Sequence, residues 1–213
     1  MALFGLDPES VAGRVESSTA KTSIPTLLQS LGAGAFGFCA VSLLVFGSWA
    51  YAGKWMFESL GELGAYLLWA AVFVVGAGGT LSPLVIGPAR IARFYGVFTL
   101  GFFLYALVWT AAWMALRNQV GEWLGSLAGT MALGLVFAAA FSAWRACGKV
   151  ITALFVAHSA GYFLGELLYA TFGRPLGMLL WGVAYGLGFG SGLGYGLYAS
   201  QENIRRRLAE HNK

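Results

Sequence analysis

The chain has 213 residues, of which 58% are hydrophobic and 10% charged; its mean hydropathy is +0.71 and its formal net charge +4. A water-soluble domain of this length cannot hide so much apolar surface, so the composition excludes one and makes the lipid bilayer the solvent. It also argues against nucleic-acid binding, because no basic stripe with interleaved aromatics lies on a soluble module.

In chain order, residues 1–27 read as a polar tail. They lack the basic start and the continuous apolar stretch of a signal peptide, and Asp7, Glu9 and Glu16 are foreign to a transit peptide. Asp7-Pro8-Glu9 is a helix start, with Asp as cap, Pro at the first helical position and an acid in the first turn, and predicts a short surface helix over Pro8 to Ser17.

Six apolar runs follow, at 28–52, 62–84, 94–116, 123–143, 151–172 and 176–200, each without Lys or Arg. A helix needs about 20 apolar residues to cross a hydrocarbon core roughly 30 Å thick, and the runs are continuous rather than alternating, which favours helices over a barrel. The predicted fold is therefore all-α, a polytopic integral membrane protein with six transmembrane helices over 28–200. Residues 201–213 form a basic tail expected to continue the sixth helix into water.

The basic residues sort by side. Arg14, Lys21, Arg90, Arg93, Arg145, Lys149, Arg205, Arg206, Arg207 and Lys213 fall on the face shared by the termini, and Lys54, Arg117 and Arg174 on the other, which completes the 13. By the positive-inside rule both termini lie on the cytoplasmic (or matrix/stromal) side. Trp49, Trp55, Trp109, Trp113, Trp123 and Trp181 then lie near the outer ends of their runs and Trp144 near an inner end, as interfacial indoles do. The Arg205-Arg206-Arg207 triplet reads as a stop signal and a contact for anionic membrane lipids, each basic residue near the surface contributing about 1 kcal/mol; docking on an acidic partner is the other reading.

The two halves of the chain resemble one another. Trp49 to Lys54 matches Trp144 to Lys149, and Gly64-Ala65-Tyr66 aligns with Ala160-Gly161-Tyr162. Either short apolar segments coincide by chance, or a three-helix unit is duplicated. An odd number of spans per copy makes the second case an inverted 3+3 repeat. Gly and Pro gather at the ends of the second and fifth runs, around Gly76 to Pro83 and at Gly173-Arg174-Pro175, where they end helices or open a site of unwound backbone.

The sixth run carries two ridges of small residues at intervals of four: Gly182, Gly186, Gly190, Gly194, and Ala184, Gly188, Gly192, Gly196, Ser200. Such ridges admit another backbone closely, which is how helices associate where lipid supplies no hydrophobic drive. The neighbour belongs either to this chain or to another.

Ionisable groups inside lipid are costly and point to function or to buried pairing. In the fifth run His158, Tyr162 and Glu166 recur every fourth residue, a stripe about 12 Å long that Tyr169 extends. It could carry protons, hold a polar headgroup or ligate a pigment or metal; alternatively these residues satisfy neighbours within the bundle, Glu166 reaching Arg174.

Catalytic motifs are missing from the sequence. Ser191 lacks the Gly-x-Ser-Gly setting of an intramembrane protease, Cys39 and Cys147 lie at different levels and form no CxxC, and His211 sits in the tail away from His158. No cofactor is expected, nor an enzyme. The expected function is a non-catalytic structural subunit of a larger membrane complex, packing through its glycine faces against lipids, other subunits or copies of itself. The alternative is a small-solute channel or transporter built on the inverted repeat.

Overall fold

The computed structural model describes residues 3–19 and 22–211, with backbone alone for Leu3 and His211. Lys21 and Lys213 of the basic set thus lie outside the described residues. All regular structure among the described residues is helical, and five helices are long and apolar enough to cross a membrane. The chain is an α-helical, multi-pass membrane protein.

A 3-10 turn at Leu3–Gly5 precedes α1 (Pro8–Glu16), which starts as its sequence predicts. The Asp7 carboxylate caps it by accepting the Ser10 backbone N–H at 3.0 Å, and Pro8 fills the first position, where no N–H is needed. Burial, the largest single influence, would push the Asp7 carboxyl up, but hydrogen bonds from Ser10 and from the Asp7 and Glu9 backbone together outweigh it and hold the group below its ordinary value.

The first two predicted spans are one 55-residue element, α2 (Leu27–Leu81), opened by a reciprocal cap between Thr26 and Gln29. It is not straight. Phe38 and Phe73 stack at 5.3 Å, although 35 residues of straight helix would separate them by about 52 Å. Trp49 likewise meets Trp69 at 5.1 Å, and the Trp69 indole donates to Ser48 Oγ at 2.9 Å. The reversal comes at Gly61, whose φ of +69° lies where L residues are strained. Two antiparallel limbs result, 27–60 and 62–81. The helix itself runs on past the end of the first apolar run at 52: nothing in Gly53 to Leu60 breaks it, and the exposed Lys54–Glu58 pair at 3.8 Å spans one turn of it.

A 3-10 turn at Ser82–Leu84 and a buried loop through Ile86 lead to α3 (Arg90–Leu116). Then come α4 (Gln119–Phe141), capped by Asn118 accepting from the Gly121 N–H at 3.0 Å, a turn at Trp144–Ala146, α5 (Cys147–Phe172), α6 (Leu176–Ser200) and α7 (Glu202–His211). Three helices begin about four residues before their predicted starts, because Arg90, Asn118 and Cys147 lie in the first turn or cap beyond the apolar run. The clustered glycines Gly76, Gly78 and Gly79 stay helical, and Gly173, with φ +62°, ends α5.

The C-terminal tail does not continue α6. Gln201 leaves the helical conformation, and α7 sets off in a new direction. The cause is the Gln201 side chain, buried to 1% exposure: its Nε2 donates to the Leu84 and Leu197 carbonyls at 3.0 and 2.9 Å, and its Oε1 accepts the Ile86 N–H at 2.7 Å. The bend lets α7 lie against α1, burying Leu6, Val11, Ile204 and Leu208, with Arg207 3.7 Å from Glu9. α1 and α7 therefore occupy one end of the bundle, here called the terminal end; the Gly61 turn marks the distal end.

Candidate functional site

α6 is the central helix, and its two glycine ridges face two neighbours in the same chain. The ridge of Gly182, Gly186, Gly190 and Gly194 lies on the first limb of α2: a methyl at Gly186 would stand 2.5 Å from the Cys39 Cα, and one at Gly190 2.8 Å from the Phe38 Cβ and closer still to the Gly34 carbonyl. The ridge of Gly188, Gly192 and Gly196 lies on α5, where a methyl at Gly188 would stand 2.6 Å from the Ala157 carbonyl oxygen and 2.8 Å from Gly161 Cα. Contacts to backbone cannot be relieved by turning a side chain, so the seams require glycine at Gly186, Gly188, Gly190 and Gly194, whereas Gly196 meets side chains at ordinary distance.

That close approach of α5 to α6 brings His158 inside. His158 is fully buried near the middle of α5, and its Nε2 lies 2.5 Å from the Tyr105 hydroxyl of α3, which in turn lies 3.2 Å from the Tyr185 hydroxyl of α6. Its ring stacks on Tyr162 at 5.9 Å and 9°, and meets Phe189 edge-on at 5.0 Å. The other ring nitrogen, Nδ1, is buried without a hydrogen-bond partner.

Toward the distal end, Tyr162 sits between the indoles of Trp109 and Trp181 at 5.5 and 5.6 Å, and both indole N–H groups are also buried without partners. The half-buried Glu166 of α5 and Glu122 of α4 lie within electrostatic reach of one another and of the Tyr162 hydroxyl. Tyr169 packs on Trp181 at 5.7 Å rather than on the His158 group. Of the four stripe residues, then, His158, Tyr162 and Glu166 share one polar track and Tyr169 lies beside it.

On the terminal side of His158 the track stops. Phe38, Phe73, Phe102 and Phe189 form a chain of ring contacts between 5.3 and 5.6 Å, and Leu193 and Leu197 continue the filling with no exposure. Aromatic pairs in such offset and edge geometries contribute about 0.5–1.5 kcal/mol each beyond burial.

The Arg205-Arg206-Arg207 triplet makes contacts within its own chain, although Arg206 and Arg207 remain exposed. Arg205 lies over the Tyr198 ring at 3.7 Å, Arg206 pairs with Glu202 one turn back, and Arg207 approaches Glu9. Cys39 and Cys147 are both free thiols. Among the described residues no group of three His, Cys, Asp or Glu stands together to hold a metal ion. The chain matches no known protein family, no curated protein and no solved structure.

Sequence reasoning missed Tyr105, Tyr185, Glu122 and Gln201. The first two are single tyrosines within apolar runs whose meaning comes from each other and from His158 across 53 and 80 residues of chain. A further pattern was readable: Gly121, Gly125 and Gly129 of α4 stand at intervals of four, and they seat Leu116, Trp109 and Tyr105 of α3.

Proposed function

We propose that this protein is a non-catalytic structural subunit of a membrane complex, with six segments crossing the bilayer and both termini on the cytoplasmic (or matrix/stromal) side. The doubling back of α2 supports the span number, since it supplies two antiparallel apolar limbs where one helix is counted. The placement of Arg14, Arg90, Arg93, Arg145, Lys149 and the Arg205 to Arg207 triplet around the terminal end supports the orientation.

The observation that carries the functional reading is the dead end in the polar track. Polar side chains run from Glu122 and Glu166 to His158 and are followed by Phe189, Phe38 and Phe73, where a solute path would need polar lining or water. Because α6 uses both small-residue ridges within the chain, neighbours in a complex are met through large outward side chains. Phe103 and Leu107 of α3 and Met131 and Leu135 of α4 are the exposed ones on adjoining helices. Extraction in mild detergent followed by native mass measurement tests the reading: unrelated chains should accompany this one in fixed proportion. Recovery alone or as a symmetric homo-oligomer would refute it.

The rival reading, a small-solute channel or transporter, draws on the Glu122–Tyr162–Glu166 group at the distal mouth and on the inverted repeat. Pairing of the first α2 limb with α6 and of α3 with α4 is what an axis exchanging the two halves would produce. Liposome flux abolished by His158→Ala in protein that remains monodisperse would establish this reading over ours.

A further inference from the structure

The Tyr105–His158 contact joins a phenol to an imidazole inside an apolar shell, and a series of rings in contact leads from it to the surface, all of them oxidisable except the His158 imidazole, which bridges Tyr105 and Tyr162. Trp113, 40% exposed near the distal end of α3, stacks on Trp109 at 6.5 Å and 11°. Trp109 meets Tyr162 at 5.5 Å, Tyr162 stacks on His158 at 5.9 Å, and His158 meets Tyr105 at 5.4 Å. Tryptophan and tyrosine are the side chains that give up single electrons most readily, and each step in this series lies within contact range of the next.

Removing an electron from a buried phenol makes a strongly acidic radical cation, which an apolar site disfavours unless a base takes the proton at once. His158 Nε2, 2.5 Å from the Tyr105 hydroxyl, is placed to do so, geometry being the first requirement for proton transfer. With the imidazole proton on Nδ1, Nε2 is free to accept; the Tyr185 hydroxyl, 3.2 Å away, can then donate to the Tyr105 oxygen and leave the Tyr105 proton directed at nitrogen.

We propose that Tyr105 and His158 form a redox-active pair, in which a one-electron oxidant at the distal surface draws an electron from Tyr105 by way of Trp113, Trp109 and Tyr162. The oxidant is of the high-potential class, a photo-oxidised pigment or a metal tris-diimine. The step balances: the oxidant gains one electron, Tyr105 becomes the neutral phenoxyl radical, and its proton is held on Nε2 of His158 as imidazolium. Return of an electron from a reductant sends the proton back. Phe102 and Phe189, in ring contact with Tyr105 at 5.8 and 5.1 Å, do not oxidise at such potentials and seal the radical from the terminal side.

The experiment is flash oxidation of the intact protein in detergent with trisbipyridine ruthenium(III), generated by light from the ruthenium(II) complex with a sacrificial acceptor, followed by freeze-trapping and electron paramagnetic resonance. The expected product is a neutral tyrosyl radical. In protein carrying nitrogen-15 histidine it should show a histidine nitrogen coupling, which reports His158 because the other of the two histidines, His211, ends the terminal helix. Tyr105→Phe should abolish that signal, and Trp113→Phe should slow its appearance without changing its spectrum. No tyrosyl radical, one without histidine coupling in the wild-type chain, or the same radical in Tyr105→Phe would overturn the proposal. Should Tyr105→Phe fail to fold, the labelled wild-type spectrum decides alone.

Discussion

At the terminal end, Gln201 is almost fully buried and its amide makes three hydrogen bonds, two of them to a loop more than a hundred residues earlier. In the middle and distal parts of the bundle, His158 Nδ1, the Trp109 and Trp181 indoles and Ser126 Oγ are buried with no partner at all. A buried group left unpaired forfeits about 1–3 kcal/mol of desolvation free energy. Unsatisfied groups occur at the terminal end too, at Arg14 Nε and Ser200 Oγ, but most lie in the middle and distal parts, several of them around the Tyr162 track, while the long-range side-chain pairing of Gln201 lies where the chain ends meet. The contrast marks the terminal end as the region where one buried amide ties segments distant in the chain together.

The contrast can be broken most forcefully at the α6 seam that supports both regions. Gly190→Leu would drive a side chain into the Gly34 carbonyl and Phe38 Cβ, and overpacking of a close-packed site costs about 1–3 kcal/mol or more where backbone must move. The expected outcome is loss of a monodisperse species on gel filtration. Normal assembly with an unchanged melting temperature would mean that α6 does not lie on α2 as described.

Gln201→Leu is next. It keeps the volume but strands the Ile86 N–H and the Leu84 carbonyl, for a loss on the order of 3 kcal/mol. Hydrogen exchange should rise over residues 84–89 and along α7 while the distal half stays protected. Uniform destabilisation would show that the two ends are not separate in stability. Asp7 offers a smaller handle on the same end: replacing a capping acid by Ala costs about 1 kcal/mol. Because its folded value is depressed, its contribution is present above the unfolded carboxyl pKa of about 4 and disappears as the pH falls through the folded value. Protease access to α1 should therefore increase on acidification in the wild-type chain and be less pH-dependent in Asp7→Ala.

Periodicity and composition reveal the helices of this chain and little of what joins them. The apolar runs carry the helices, and Asp7-Pro8-Glu9 carries the start of α1, because both signals are local. The sharp fold of α2 at Gly61 has only a glycine between charged turns to announce it, and a helix that runs on to Leu60 carries Lys54 and Glu58 beyond the apolar stretch. The bend at Gln201 was illegible since its cause, the free backbone groups of Leu84 and Ile86, lies 117 and 115 residues away. His158 stood out as a charge-bearing residue in lipid, whereas Tyr105 and Tyr185 looked like any apolar-run tyrosines until three helices brought their hydroxyls together.

The smallest expected effect sharpens the contrast most. Ser126 of α4 is fully buried and its hydroxyl has no partner, whereas Thr130, one turn on, bonds the Ser126 carbonyl at 2.7 Å. Ser126→Ala removes an unpaired polar group at almost constant volume, so its effect on thermal stability should be within about 0.5 kcal/mol of zero or favourable. Loss of a kcal/mol or more would show that Ser126 has a partner in the membrane, a water or a neighbouring chain, and that the distal half is paired after all. A neutral result, set beside a costly Gln201→Leu, would mean that burial of a polar group in this bundle stabilises only where the chain itself supplies the partner.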